Sequence, residues 1–293
     1  MNWAGVPKEL HEKVHGLLDQ FKGMWSGRLG ELKATTHHIQ LKPDAKPVYS
    51  DPYRAGPHRR LEIEKQVKKM LDLGVIEPSD AWWSFPVVVV PTPGGHYGFC
   101  VDYQRLNERT VKDVYPISKM YDCLESIGDA TVFATVDCNA GYWQIRVAAE
   151  DRDKKTFTSH TGLFRFLRLP FGLVNAPASF QRALDIILSG LRWRTCLVYL
   201  DDVIVFSGTV DDHVRHLREV LLRLEKAVVS LKPSKRHLFQ EEIEYLCKTP
   251  GFSRHVETFF QLFTIFKHHF PCGTIPWRLA VRVQHPLQRP SFF

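Results

Sequence analysis

Several features are missing from this 293-residue sequence, and each absence excludes a class of protein. No window reaches the roughly 18 uninterrupted apolar residues that a membrane-spanning helix requires, so we expect no membrane partner. The six cysteines form no CxxC pair, which argues against a zinc site or a disulfide framework and fits reduced thiols. The first residues, MNWAGVPKEL, lack the basic-then-apolar pattern of a signal peptide, so we expect an intracellular location, cytoplasmic or nuclear.

The overall composition is that of an ordinary globular protein, with 44% hydrophobic and 24% charged residues. It excludes collagen-like, mucin-like and fully disordered chains. The net charge of +7 is unevenly distributed. Residues 251–293 contain five Lys and Arg residues against Glu257 alone and contribute +4, which leaves +3 for the first 250 residues. Net basicity is therefore only a weak indication of a polyanionic partner.

Hydrophobic periodicity predicts interleaved helices and strands, and therefore an α/β (α+β) fold. We expect residues 1–33 to form an N-terminal helical extension and residues 34–246 the main domain. Residues 247–293 contain no aspartate and eight of the nineteen phenylalanines, so we assign this tail no fold and expect it to be disordered or artefactual. The predicted helices span 7–23, 57–73, 116–127, 176–188 and 210–228, and the predicted strands span 87–91, 97–102, 130–137, 142–147, 195–200, 203–207 and 237–246.

Two adjacent acids, Asp201 and Asp202, separate the last two long apolar strands. Burying like charges without a partner costs several kcal/mol, so these acids are not expected in a core. Two explanations remain, which are a solvated β-hairpin turn and a divalent-metal site completed by another acid. Asp137, at the end of a third apolar strand, is the natural additional ligand, because hard cations such as Mg²⁺ prefer carboxylate oxygens.

Five sequence blocks occur in order along the chain. They are MLDLGVIEPSDAWWSFPVVVV (70–90), FCVDYQRLNERTVKDVYPI (99–117), FATVDCNAGYWQIRV (133–147), GLFRFLRLPFGLVNAPASFQRAL (162–184) and CLVYLDDVIVFS (196–207). Together they resemble the reverse transcriptase domain of gypsy-type LTR retrotransposons, from about residue 37 to residue 246. The resemblance implies a right hand of fingers and palm, with a mixed or antiparallel palm sheet backed by helices and with thumb and RNase H absent.

The same resemblance implies an RNA-directed DNA polymerase that transfers a nucleotide from a dNTP to the 3′-hydroxyl of a primed RNA or DNA template. Asp137, Asp201 and Asp202 would hold two Mg²⁺ ions, for which Mn²⁺ could substitute. Alternatively, Asp202 would not bind a metal ion directly but would contact a residue that does. Cys138 would contribute only its backbone carbonyl. Lys235 matches a lysine that protonates pyrophosphate, although a solvated surface lysine is an equal alternative.

The resemblance also implies a nucleotide-binding surface. Tyr142 occupies the sugar-gate position, where its ring would exclude a 2′-hydroxyl; the alternative is a tyrosine that simply packs on the palm. Phe171 and Gly172 would line the incoming nucleotide and the template base. Gln181 would lie near the nucleotide, unless it caps a helix or faces solvent.

The sequence departs from the family in two places. Pro91, Thr92 and Pro93 stand where lysines are expected, and Gly98 replaces an arginine that grips the triphosphate, each lost contact costing about 1.5–3 kcal/mol. After residue 246 the expected G-H-x-x-S segment is missing, as are a D-[ST]-G protease motif and an integrase zinc pattern. We therefore expect a polyprotein fragment. A catalytically inactive nucleic-acid-binding remnant and an unstable pseudogene product are the alternatives, and the oligomeric state stays open.

Overall fold

A computed structural model describes residues 11–92, 96–116, 120–199 and 202–240. The expectations for residues 241–246 and for the tail at 247–293 lie outside the described residues, as do Pro93 and Asp201. Among the described helices, none has the length and apolar character that crossing a bilayer demands.

The first layer is a four-stranded antiparallel sheet with the order β11-β5-β10-β9. Its strands are β5 (Val132–Asp137), β9 (Cys196–Tyr199), β10 (Asp202–Ser207) and β11 (His237–Gln240). The β-branched and aromatic residues of β5 and β10 suit a pleated sheet that is covered on both faces. The register runs without a break from Asp202 opposite Asp137 to Ser207 opposite Val132.

Helices cover this sheet, and alternation along the strands assigns residues to its two faces. One face presents Ala134, Val136, Val203 and Val205 to the large core that includes α5 (Ala176–Ile187) and α6 (Val210–Lys226). The other face presents Phe133, Leu197, Ile204 and Phe206 to Cys123 and Ile127 of α4 (Met120–Ile127). The expectation of a sheet backed by helices is confirmed.

The second layer is a five-stranded mixed sheet with the order β2-β8-β7-β3-β4. Its strands are β2 (Ile76–Pro78), β3 (Phe85–Thr92), β4 (His96–Val101), β7 (Thr156–Ser159) and β8 (Gly162–Phe166). Strands β3 and β4, predicted at 87–91 and 97–102, pair as an antiparallel hairpin, while β3 and β7 are parallel. Phe157 centres the core of this layer, with the rings of Phe99 and Phe166 at 5.5 and 5.2 Å.

Helix α2 (Pro57–Asp72) begins with Pro57 at its first position and packs on this sheet. Its buried residues are Ile63, Val67 and Met70. Leu61 and Leu71 of the same helix do not face inward, since Leu61 is 64% exposed and Leu71 is exposed as well. The spacing of 63, 67 and 70 defines the inward stripe, and Leu61 lies off it.

The remaining elements join the two layers. Helix α1 (His11–Gln20) and a 3₁₀ turn at Lys22–Trp25 place Val14, Leu17 and Phe21 in the large core. Strand β1 (Leu32–His37) runs parallel to the short strand β6 (Ile145–Val147), and α3 (Gln104–Asn107) follows β4.

The predicted strand over 142–147 is wrong in its first half, because Gly141–Gln144 form a 3₁₀ turn and the strand starts at Ile145. Ala140 adopts a left-handed conformation (φ +47°), which no extended strand contains. Gly141 is required by a close approach, since a Cβ there would lie 2.8 Å from Cζ of Phe180. The turn therefore follows from tertiary packing, which outweighs the local strand pattern.

Candidate active site

The central feature of the site is a pair of carboxylates at one edge of the four-stranded sheet. Asp137 is the last residue of β5 and Asp202 the first of β10, and the register sets them directly opposite each other. Opposite residues of an antiparallel pair have Cβ atoms about 4.5–5.5 Å apart, and like charges in these positions destabilise the sheet. The fold thus brings together two acids that lie 65 positions apart in sequence, and a cation near them would reduce the repulsion between their charges.

Asp201 and Leu200 lie outside the described residues, so the triad is represented by two of its members. Tyr199, the last residue of β9, is opposite Asp202 on the other side. Strands β9 and β10, which precede and follow residues 200 and 201, are therefore antiparallel neighbours, as the two strands of a hairpin must be. The hairpin and the metal site, which are alternatives in the sequence, are compatible in the structure because Asp202 both starts the strand and faces Asp137.

Lys235 lies beside this pair. Its Nζ is 2.5 Å from Oδ2 of Asp137, and its side chain is 50% exposed. The backbone supports this contact, because Lys232 N donates to the carbonyl oxygen of Asp137 at 2.8 Å and His237 is opposite Thr135. Lys235 is therefore not a lone solvated lysine but the ion-pair partner of a buried acid.

The turn after Asp137 is fixed by the buried side chain of Gln144. Its Nε2 donates to the carbonyl oxygens of Asn139 and Ser230, at 2.9 and 2.8 Å, and its Oε1 accepts from Ser230 N at 2.8 Å. Cys138 is buried in the large core and forms an isolated antiparallel bridge with Leu231. The role of its carbonyl stays a prediction. No role for Gln144 was predicted from the sequence, although this residue belongs to one of the five blocks that resemble the family.

Tyr142 emerges from this turn and forms an aromatic wall with Phe171. The two ring centroids are 4.9 Å apart, and Phe180 packs against the other side of Tyr142 at 5.5 Å. Tyr142 is half-buried, whereas Phe171 is 41% exposed. The ring of Tyr142 thus packs on helix α5, and its role as a sugar gate stays a prediction.

Gly172 lies next to that wall in a conformation that favours glycine (φ +95°). An added Cβ would meet the carbonyl oxygen of Val101 at 3.3 Å. Asn107 holds the loop, because its Nδ2 donates to Gly172 O at 2.8 Å and its Oδ1 accepts from Val174 N at 2.9 Å. Sequence reasoning did not assign Asn107 a role, although it belongs to the YQRLN segment.

Gln181 is fully buried, so the alternative that it faces solvent is wrong. Its Nε2 donates to Oδ1 of Asp185 at 2.8 Å and to the carbonyl oxygen of Val198 at 3.2 Å. Asp185 also accepts from the Tyr115 hydroxyl and pairs with Arg192, both at 2.7 Å. A contact between Gln181 and a nucleotide stays a prediction; Asp185 is an unforeseen hub that positions it.

The β3–β4 hairpin contains the residues that depart from the family pattern. Gly98 is opposite Val90, and Pro91 is opposite Tyr97. Two nearby lysines do not replace the missing cations. Lys155 is fully buried with its Nζ on the carbonyl oxygen of Phe166, and burial lowers its pKa well below the usual value; Lys154 is bound to Asp151.

A second group of potential ligands consists of His38, Glu150 and Asp151, whose ligand atoms lie within 4.8 Å of one another. Asp151 is already satisfied by Lys154 and by Ile39 N at 2.9 Å. This group lies apart from the predicted aspartates in sequence and has an internal cation of its own. The facing hard oxygens of Asp137 and Asp202 are the better match for a divalent ion.

Comparison with known proteins bears directly on this geometry. A family model described as "Reverse transcriptase (RNA-dependent DNA polymerase)" matches residues 91–249, more than half of the chain. The chain belongs to the reverse transcriptase family. The resemblance stated above is thereby confirmed, and both acids of the described pair fall within the matched range.

The curated relatives to which this reverse transcriptase chain is similar include polyproteins of transposable elements. It is 36% identical over 250 residues to the retrovirus-related Pol polyprotein from transposon opus of Drosophila melanogaster, a match that covers 83% of the chain and 25% of that protein. It is 39% identical over 209 residues to the one from transposon gypsy of the same organism, covering 69% and 20%. The chain thus spans about a quarter or less of the length of these relatives.

Solved structures agree on the fold. The foamy viral protease-reverse transcriptase in complex with an RNA/DNA hybrid aligns with a TM-score of 0.76 at 20% identity, covering 90% of this chain and 39% of that one. The expected reverse transcriptase fold is confirmed. We call the four-stranded sheet the palm sheet and the five-stranded sheet the fingers sheet, after the right hand that the family resemblance implies.

Proposed function

We propose that this chain is the fingers and palm of an RNA-directed DNA polymerase, which joins a dNTP to the 3′-hydroxyl of a primer and releases pyrophosphate. The observation that carries the proposal is the direct pairing of Asp202 with Asp137 at the edge of the palm sheet. Two opposed acids, one of them buried, destabilise a protein unless they bind a cation, and such a cost is typical of functional sites.

Asp137 and Asp202, together with Asp201, would hold two Mg²⁺ ions, or Mn²⁺ in their place. When bound, such ions lower the barrier to attack by the primer hydroxyl and neutralise the triphosphate. The side chains contribute negative charge and fixed oxygens. Gln144 keeps the turn after Asp137 rigid, and Gln181 fastens the strand that leads to the acids.

The neighbouring residues would bind the nucleotide. Tyr142 would support the deoxyribose with the face of its ring, Phe171 and Gly172 would border the base pair being formed, and Cys138 would contribute its carbonyl oxygen. Lys235, already at 2.5 Å from Asp137, lies within reach of a departing pyrophosphate bound at the acids, which supports the role of proton donor.

A basic pocket on the fingers supports a nucleic-acid partner. It lies where the loop before α2 meets β7, and its lining includes Arg54, Arg60 and His160 beside the polar Thr158 and Ser159. Guanidinium groups of this kind bind phosphate oxygens. The similar foamy viral protease-reverse transcriptase structures are complexes with an RNA/DNA hybrid and with double-stranded DNA. We infer that a primed template is the partner here too.

Primer extension tests the proposal. The full chain is incubated with a primed RNA template, dNTPs and Mg²⁺, and extension is measured for the wild type, Asp201→Asn and Asp202→Asn. Each variant is expected to lose at least about 100-fold in rate, because a carboxylate ligand is neutralised. Asp72→Asn, at the exposed end of α2, removes the same charge away from the palm and serves as the matched control. Extension by Asp202→Asn at the wild-type rate contradicts the proposal.

A second candidate is a nucleic-acid-binding remnant without synthesis, which is favoured by Gly98 and by the burial of Lys155. It predicts duplex binding that weakens steeply with salt, without any extension, because phosphate contacts release counterions. Arg54→Gln should reduce, by about 1, the slope of the logarithm of the binding constant against the logarithm of the salt concentration. Arg59→Gln, at an exposed neighbouring position, should leave that slope unchanged. Robust extension by the wild type excludes this candidate.

A further inference from the structure

The paired carboxylates of Asp137 and Asp202 have a cationic neighbour within the chain itself. The Lys235 ammonium is 2.5 Å from Oδ2 of Asp137, at the same edge where Asp202 faces that residue. Asp137 is buried, and a buried charge without a partner is costly. The ion pair therefore gives this carboxylate a partner before any metal enters the site.

The two partners of this ion pair differ in their freedom to move. Asp137 is held in the palm sheet by its pairing with Asp202 and by Lys232 N on its carbonyl oxygen. The Lys235 side chain is 50% exposed and stands on a short 3₁₀ turn at Pro233–Lys235. Its ammonium can therefore leave the carboxylate by side-chain rotation into solvent, without a change in the sheet.

We propose that Lys235 is the internal counter-cation of the metal-free site, and that it leaves Asp137 when the carboxylates take up a divalent cation. This inference rests on the proposed function, because it takes Asp137 and Asp202 as metal ligands. An ion pair with a half-exposed partner is weak, whereas a divalent ion between two facing carboxylates carries twice the charge and is attracted by both. The exchange of one cation for the other makes Lys235 a competitor of the metal and a regulator of its affinity.

The experiment is a titration with Mn²⁺, in which the electron paramagnetic resonance signal of the free ion reports binding to the full chain. Lys235→Gln removes the competing cation and should bind Mn²⁺ about three- to tenfold more tightly than the wild type. Lys235→Arg retains the charge and should remain within about twofold of the wild type. Lys232→Gln removes the same charge three residues away and is the matched control for net charge.

Thermal unfolding supplies a second measurement that a merely structural lysine would not reproduce. Without metal, Lys235→Gln should unfold about 2 °C below the wild type, because the buried acid has lost its partner. With saturating Mn²⁺ the two midpoints should coincide, since the ion pair is already broken in the wild type. An equal deficit with and without metal overturns the proposal.

The outcomes separate this inference from the function on which it rests. If the wild type binds Mn²⁺, and Asp137→Asn abolishes binding, the metal site stands. An affinity for Lys235→Gln equal to that of Lys232→Gln, or weaker than the wild type, then refutes only the displacement of Lys235. Absence of Mn²⁺ binding to the wild type refutes the metal site and the counter-cation together.

Discussion

Gln181 of helix α5 donates a hydrogen bond from Nε2 to the carbonyl oxygen of Val198, the residue before the last one of β9. The bond is 3.2 Å long and fully buried, and it ties the helix to the strand that leads to the paired aspartates. The orientation of the amide depends on Asp185, which holds the same Nε2 at 2.8 Å. A buried hydrogen bond from helix α5 thus holds the strand that leads to the paired aspartates.

The first prediction concerns this hub. Asp185→Ala should lower the free energy of unfolding by about 3 kcal/mol, because it leaves Arg192, the Tyr115 hydroxyl and the Gln181 amide without their shared acceptor. Urea denaturation measures the loss. Asp129→Ala, at an exposed position before β5, is the control and should change stability by less than about 0.5 kcal/mol. Equal stability of the two variants would show that Asp185 is dispensable.

The second prediction concerns sugar selection. Tyr142→Ala should relax discrimination against ribonucleotides, since the ring that borders Phe171 at 4.9 Å would no longer occupy the space beside the sugar. The ratio of kcat/KM for a dNTP and the matching rNTP measures the effect. Tyr142→Phe keeps the ring and should keep the ratio. Unchanged selectivity in an active Tyr142→Ala enzyme would assign the gate to another residue.

The third prediction concerns acid sensitivity. Burial lowers the pKa of His213 from 6.5 to about 3 and that of His37 to about 4. The unfolded chain therefore binds more protons than the folded chain below pH 6.5, and stability falls as the pH falls. Each histidine should lower the free energy of unfolding by about 2 kcal/mol when the pH falls from 7 to 5.

Urea denaturation at pH 5, 6 and 7 checks this expectation. His213→Gln removes the titrating ring beside Ser207 and should show a flatter pH dependence than the wild type, whatever its absolute stability. His58→Gln, at an exposed position of α2, is the comparison and should keep the full slope. The same slope in His213→Gln and the wild type would mean that His213 titrates normally in the folded chain.

The fourth prediction concerns the buried lysine of the fingers. Burial lowers the pKa of Lys155 far below its usual value, so the folded chain holds this proton less tightly than the unfolded chain. Stability should therefore rise with pH between 7 and 10, and Lys155→Met should remove that rise. Lys68→Met, at an exposed position of α2, is the control. A rise that persists in Lys155→Met would place its origin in another group.

Elements with a strong local pattern were predictable. Helix α5 was expected at 176–188 and spans Ala176–Ile187, because its apolar spacing and the proline in its first turn are local properties. The two strands of the β3–β4 hairpin were predicted at 87–91 and 97–102, close to their observed bounds. The 3₁₀ turn at Gly141–Gln144 was not predicted, because the packing of Gly141 against Phe180 overrides the strand propensity of this segment.

In the candidate site, too, some features could be predicted from the sequence and others depend on the fold. Residue type and position at the ends of apolar strands predicted Asp137 and Asp202 as ligands, and the family resemblance predicted roles for Tyr142, Phe171 and Lys235. Their partners could not be read from the chain, because a contact between residues 98 positions apart, such as Lys235 with Asp137, depends on how strands pair. Strand order and register are properties of the whole folded sheet. They alone turn two distant acids and a lysine into one charged cluster, because only in the sheet are like charges close enough to require a cation.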